Sequence, residues 1–356
     1  MPTLKKDKTS WSGASLALVA ALLFGASTPF AKVLLGSVDP WLLAGILYLG
    51  SGLGLSAILT LRKALGLPKS EAPLRRGDVP WLALVVLFGG IMGPVLLLTG
   101  LTSTSASAAS LLLNVEALAT MGIAWLVFRE NVDRRLLFGA AAIVAGAITL
   151  TLQPGDMAFG WGAVWIALAC LCWGIDNNLT RKISFADPIV TTAIKGTMAG
   201  LVNLVLALSQ GAALPKLETI GAGALIGFFG YGVGLVLFVL ALRQVGTART
   251  GAYYSTAPFI GALIAVGLLG EPLTMTLLIA GAMMAFGVWL HLTEDHDHQH
   301  AHGEMLHEHR HSHDEHHQHA HVESDPPGEP HAHPHRHEPM VHRHRHFPDL
   351  HHGHGH

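Results

Sequence analysis

Charge is scarce in this sequence, and histidine is missing from most of it. Charged residues make up 13% of the 356 residues, about half the ~25% of an average soluble domain. That excludes an ordinary charged globular surface. The chain holds 24 histidines, yet none precedes His291, so the first four-fifths of the chain has no imidazole for acid–base work or metal ligation. Only two cysteines occur, Cys170 and Cys172, inside one apolar run. Residues two apart on a helix point in different directions, so these two cannot bridge each other, and a disulfide framework is excluded. Residues 1–290 also lack a Ser/His/Asp set, a phosphate loop and an adenine-nucleotide motif. A membrane enzyme therefore finds no support, no cofactor is required, and no nucleic-acid partner is expected.

What is present is apolar, at 51% of the chain. The two ends differ sharply in charge. Residues 1–290 carry 18 Lys/Arg against 12 Asp/Glu, while residues 291–356 carry 4 against 12, so the overall formal charge of −2 averages two unlike regions. A helix that crosses the bilayer core needs about 20 mainly apolar residues. Such segments lie near 12–35, 40–61, 80–101, 104–128, 135–152, 160–181, 188–209, 220–242, 248–269 and 273–291, which makes ten spans. Turn chemistry separates them at Val38-Asp39-Pro40, Gln153-Pro154-Gly155-Asp156, Ala186-Asp187-Pro188 and Gly270-Glu271-Pro272. The runs are too long and too uniform for strands, and a bilayer span satisfies its own backbone most readily as a helix. Lys5-Lys6-Asp7-Lys8 before the first run has the look of a signal peptide, but the run continues to Leu35 and is read as span 1.

Basic residues set the orientation. With the N-terminus in the cytoplasm, the inner segments hold Lys5, Lys6, Lys8, Arg62, Lys63, Lys69, Arg75, Arg76, Arg129, Arg134, Arg135, Arg181, Lys182, Arg243 and Arg249, whereas the outer loops hold Lys216 alone. One span too many or too few would scramble this bias. The expectation is a multi-pass inner (plasma) membrane protein with both termini cytoplasmic. Residues 1–11 form the N-terminus and 292–356 the tail.

The two halves repeat. Phe24-Gly25-Ala26-Ser27-Thr28-Pro29-Phe30-Ala31-Lys32 in span 1 matches Trp173-Gly174-Ile175-Asp176-Asn177-Asn178-Leu179-Thr180-Arg181 in span 6. Glu130 before span 5 matches Glu271 before span 10, and Leu136-Leu137 with Gly146 matches Leu277-Leu278 with Gly287. Five spans per half is an odd number, so repeats 12–152 and 160–291 insert with opposite topology, an arrangement that places a binding site near the midplane between them. The aromatic-Gly motif opening spans 1 and 6, the Ala/Ser-rich span 4 and the acid before spans 5 and 10 together resemble the drug/metabolite transporter superfamily, EamA type, over about residues 12–291. That resemblance implies an all-α ten-helix membrane fold with a central cavity and alternating access, moving amino acids, metabolites or other small solutes. One departure is that span 9 reads Ala257-Pro258 where span 4 reads Glu116-Ala117, so no proline is there to bend span 4.

Ionisable groups inside a membrane are costly and usually functional. Glu116 lies mid-way along span 4, and its repeat partner Ala257 is apolar. It is read as a proton or cation site, against a purely structural acid. Lys195, about two turns into span 7, could bind a substrate carboxylate, pair with Glu116 or Asp176, or snorkel to the interface. Asp176, Asn177 and Asn178 form a polar turn late in span 6, able to line a vestibule or to link helices. Lys32, near the outer end of span 1, either binds solute or reaches outward to water. Asn114, Tyr253 and Tyr254 complete the substrate or coupling-ion candidates. The glycine pairs four apart (Gly50/Gly54, Gly89/Gly93, Gly223/Gly227, Gly230/Gly234) read as close helix packing.

The tail repeats histidine at alternate positions: His296, His298, His300 and His302, then His307, His309, His311 and His313, then His331, His333, His335 and His337. Its low hydrophobicity predicts a disordered segment, and neutral imidazole ligates Ni, Zn, Co or Cu. Two function classes follow. One is a secondary transporter of a small metabolite, with lipid and solute as partners and a homodimer left open. The other is a divalent-metal exporter or metal-regulated transporter with the tail as collector or sensor. The spans disfavour the second, since they hold no histidine before His291 and no cluster of carboxylates. The topology is testable by cysteine labelling from outside the cell. Cysteines introduced at Gly155 and Gln210 should react with an impermeant reagent and those at Lys69 and Arg310 should not; outside labelling at Arg310 would break the ten-span count.

Overall fold

The computed structural model of the protein describes residues 13–66, 73–128, 134–152, 160–183, 186–293, 297–302, 305–311, 331–337 and 340–345. Thirteen helical pieces build the described membrane region: α1 Gly13–Leu35, α2 Pro40–Ala64, α3 Val79–Val85, α4 Gly93–Ser103, α5 Ala106–Leu112, α6 Val115–Phe128, α7 Arg134–Thr151, α8 Trp161–Ile183, α9 Pro188–Ser209, α10 Leu217–Gly227, α11 Gly234–Tyr254, α12 Ala257–Leu269 and α13 Met275–Leu292. Wider π-turns at Val86–Met92 and Phe228–Val233 join α3 to α4 and α10 to α11.

Among the described residues, nine helices are long and apolar enough to cross a membrane, and Ala257–Leu269 is a shorter apolar helix. The expected span 248–269 is where sequence and structure part, because its first turns are helical in continuity with α11. The rings of Phe238 and Tyr254 nevertheless lie 4.6 Å apart, whereas sixteen residues of straight helix would separate them by about 24 Å. The chain therefore doubles back between these two residues, and Tyr254 leads into α12 on the return path.

Local sequence explains where helices start and stop. Asp39 accepts hydrogen bonds from the Trp41 and Leu42 amides with Pro40 in the first turn, and Asp187 does the same for Ile189 and Val190 with Pro188. These are matching N-caps in the two halves, each relieving amides that have no helical partner. Gly270 ends α12 in the left-handed region at φ 70°, a conformation that glycine adopts without strain.

The halves interlock rather than sit side by side. α1 packs on α11 and α12 of the second half, and α8 packs on α4 and α6 of the first. α2 crosses α9, and α7 crosses α13. Small residues permit these crossings. A Cβ at Gly287 would lie 2.5 Å from the Gly139 carbonyl oxygen, and one at Gly146 would lie 3.0 Å from that of Ala280. At the α2–α9 crossing, a Cβ at Gly52 would meet the Thr197 amide at 2.2 Å and one at Gly196 the Gly52 amide at 2.6 Å. Such approach gains backbone contact that larger residues forbid.

Two expectations need correction. Span 4 lacks the proline of span 9 but is broken all the same, between α5 and α6 at Leu113-Asn114. The Asn114 amide donates to the Leu111 carbonyl at 2.8 Å, a local side-chain bond that competes with the helix ladder. In the other half the Ser255 and Thr256 hydroxyls do likewise, to Gly251 and Tyr253. The tail, expected to lack regular structure, has paired backbone where it is described. β1 Asp297–His302 runs antiparallel to β4 Met340–Arg345, and β2 Met305–His311 to β3 His331–His337. Alternation at every second residue matches the period of a strand, which the composition-based reading overlooked.

The α7–α13 crossing is open to test. Gly287→Leu should lower stability by about 1–3 kcal/mol through overpacking, read as a reduced thermal midpoint in detergent. Gly221→Leu, where an added Cβ meets nothing within 4 Å, should melt with the parent.

Candidate functional site

The break in span 4 puts Glu116 in the first turn of α6. Its carboxylate accepts a hydrogen bond from the Asn177 side-chain amide of α8 at 2.9 Å. The same amide lies 3.3 Å from the Thr120 hydroxyl, which donates to the Glu116 backbone carbonyl. Asn178 extends the polar seam, donating to the carbonyls of Thr120 at 3.1 Å and Gly174 at 2.8 Å. The seam forms because Gly174 brings α8 against Ala119, where an added Cβ would lie 2.8 Å from the alanine methyl. Exposure differs along the span. The α5 residues are buried apart from half-buried Ala108, residues 115–123 are half-buried save exposed Ala117, and Asn177 is exposed.

Asp176 belongs to a second cluster. It pairs with Lys195 of α9 at 2.5 Å, and both side chains are buried. The other carboxylate oxygen accepts from Thr180 at 3.1 Å. Lys195 therefore takes the ion-pair option among its sequence-level alternatives, with Asp176 as partner and no snorkelling. Gly89 makes room for this pair, since a Cβ there would sit 2.0 Å from the Asp176 carboxylate and 2.7 Å from the Lys195 nitrogen. The Gly89 carbonyl lies in the π-turn and accepts from the Tyr48 hydroxyl at 2.7 Å and the Trp173 indole at 3.1 Å.

Between the clusters lies an aromatic junction. Phe24 and Trp173, the paired aromatics of the repeat motif, approach edge-on at 6.4 Å. Phe24 also meets Tyr231 at 5.9 Å and Tyr254 at 5.6 Å, and Tyr48 meets Tyr231 at 5.4 Å. Offset and edge-on geometries of this kind suit the ring quadrupoles.

The structure thus brings Glu116 together with Asn177, and Asp176 with Lys195, and sets Tyr254 in the aromatic junction. Three other candidates lie elsewhere. Asn114 serves the helix break and touches the Met284 sulfur at 3.8 Å. Tyr253 packs on the Leu16, Ala17 and Ala241 cluster. Lys32 donates to the Leu101 carbonyl at the end of α4. Of the tail histidines, His298, His300 and His302 fall on β1, His307, His309 and His311 on β2, and His331, His333, His335 and His337 on β3. His296 and His313 lie outside the described residues, as does Glu130. Sequence reasoning missed Tyr48 and Tyr231, which carry no repeat signal, and read Gly89 as packing first and mobility between the halves second, without placing it at the ion pair. The two cysteines are free and buried.

The long apolar helices and interlocked halves are those of a multi-pass membrane protein. The model of the EamA-like transporter family matches residues 11–152 and 160–293, and the chain belongs to that family. It is 30% identical over 289 residues to an "Uncharacterized transporter" of Methanothermobacter thermautotrophicus, covering 77% of this chain and 84% of the relative. It is 26% identical to the "Uncharacterized inner membrane transporter YedA" of Escherichia coli K12, covering 77% and 89%. A Salmonella typhimurium relative named "Probable amino-acid metabolite efflux pump" is 25% identical, covering 78% and 93%. One solved structure shares the fold at a TM-score of 0.60 and 18% identity, covering 80% of this chain and 99% of that one.

The Asp176–Lys195 pair makes a prediction of its own. Lys195→Met leaves a buried carboxylate unpaired and should destabilise the protein by about 3–5 kcal/mol. Adding Asp176→Asn removes the stranded charge and should restore most of the thermal midpoint. Equal melting of the single variant and the parent would show that the pair contributes nothing.

Proposed function

We propose that this transporter moves a small amino-acid-type metabolite across the inner membrane by alternating access between two inverted five-span repeats. Glu116 is the group that loads and releases the coupling ion, and the Phe24–Trp173–Tyr231–Tyr254 junction forms the apolar wall beside it. The observation that carries this reading is the Glu116–Asn177 pair at a mid-span helix break, with Asn177 exposed. The Asn177 amide nitrogen is satisfied by Glu116 and Thr120, but its exposed side-chain oxygen, facing lipid, would meet no donor, at a cost of several kcal/mol. The pair therefore faces a water-filled vestibule that opens towards the end where α6 and α8 finish. The charge bias of the loops makes that end cytoplasmic.

The tenth span in this reading is α12 with the turns before it, supported by the reversal between Phe238 and Tyr254. The π-turns at Gly89 and Gly230, at matching places in the two halves, are where spans 3 and 8 can change curvature, as π-turns often mark functional sites. The solute class follows the name given to the Salmonella relative. The zwitterion of such a solute suits one carboxylate, one amide and an aromatic wall. The tail histidines take no part in this cycle.

Glu116→Gln keeps the size of the side chain and its hydrogen bond from Asn177 but cannot carry a proton. In proteoliposomes it should insert and melt like the parent, lose pH-driven accumulation of an amino-acid solute, and retain exchange of that solute. Accumulation that stays pH-dependent in the Gln variant would remove Glu116 from the mechanism.

A further inference from the structure

Glu271 stands apart from the site above, in the loop between α12 and α13. Its two carboxylate oxygens accept from the backbone amides of Ala106 at 2.7 Å and Ser107 at 2.8 Å. Those amides open span 4, in the other half of the chain. Ser105 adds its hydroxyl to the Ala108 amide at 3.3 Å. On the other side of the α4–α5 connection, the Lys32 ammonium of α1 donates to the Leu101 carbonyl and lies within electrostatic reach of Glu271. One carboxylate and one ammonium thus tie three elements together: the end of α1, the α4–α5 connection and the α12–α13 loop. Two of these belong to the first half and one to the second.

The consequence lies along span 4. α5 is buried, and Ser110 within it is 1% exposed with its hydroxyl unpartnered. Beyond the break comes Glu116, about 15 Å from the Ala106 amide at 1.5 Å per residue. Span 4 is therefore closely packed on the Glu271 side of Glu116 and less covered on the other, where residues 115–123 are half-buried save exposed Ala117. Alternating access requires the closely packed side to open in turn. To open, α5 must leave the loop before α13, and the contact that resists this is a charge-assisted pair of hydrogen bonds, stronger than neutral ones.

We propose that Glu271 is a positioning residue for transport, the outer latch that holds the cavity closed to the outside by gripping the Ala106 and Ser107 amides, with Lys32 as its counter-charge. The proposal rests on the transporter reading and its orientation, but not on the solute or on the role of Glu116. Glu271→Gln keeps the shape while removing the charge and one of the two acceptors. The closed state should weaken while the helices stay formed.

The test needs no solute. Ser110→Cys is placed in a chain whose Cys170 and Cys172 are replaced by serine, and an impermeant thiol reagent is added to right-side-out or inside-out vesicles. Glu271→Gln should raise the outside labelling rate of Cys at this position about tenfold, the factor for losing one hydrogen bond to a charged group, with the thermal midpoint of the labelled background retained. Lys32→Gln, tested the same way, should raise it in the same direction by less. A labelling rate unchanged from the outside, or raised only from the inside, overturns the latch. If Glu271→Gln fails to fold, the Lys32→Gln result decides by the same criteria. Loss of pH-driven accumulation in Glu116→Gln is read separately, so the latch and the site can fail independently.

Discussion

A backbone carbonyl released from its helix inside a membrane has no water to turn to, so it must find a donor from the protein. That constraint is visible in this molecule at spans 3 and 4. The π-turn of span 3 frees Gly89 and Gly90, and Tyr48, Trp173 and Asn203 supply the donors. The break in span 4 is served by Asn114, and the end of α4 by Lys32. The amides at the start of α5 take the converse solution, a carboxylate from Glu271. The polar side chains that look expensive in an apolar sequence are largely the groups that make bent spans affordable.

Those bends in turn place the chemistry. Because span 4 stops and restarts, Glu116 sits in the first turn of a new helix, within reach of Asn177 across the α6–α8 contact. Because span 3 widens at Gly89, the Asp176–Lys195 pair fits beneath a residue with no side chain. The same glycine with a methyl group would press on the ion pair. Packing, charge placement and helix geometry are therefore one problem at this junction. The interlocked halves spread any change at one end to both repeats, since α1 and α8 each pack mainly on the opposite half.

The two halves solve the problem with unequal residues. Ser255 and Thr256 stand where Asn114 and Val115 stand, and Ala257 replaces Glu116. Gly230 meets Ser27, where Gly89 meets the far more polar Asp176. The fold is symmetric and the charge is not, so the intramembrane ions gather on the α6–α8–α9 side. An asymmetric charge set on a symmetric frame fits the alternating access proposed above, in which two conformations share similar packing but differ in what the solute and ion meet.

Much of this was legible in the sequence. The long apolar runs, the Asp-Pro caps and the loop charges are local properties, and they predict spans because a bilayer admits few backbone solutions. The repeat motif located Gly25 and Gly174, and the rarity of intramembrane charge drew attention to Glu116, Asp176 and Lys195. Which of these touch one another was decided only by tertiary structure, because partner choice depends on the facing of helices whose order in the bundle is not written in any one of them. Tyr48 and Tyr231 joined the aromatic junction for that reason, and Glu271, 165 residues from Ala106, reached the start of span 4 for the same one. Periodicity and composition report what each segment needs from its surroundings, whereas the folded chain alone determines which segment supplies it.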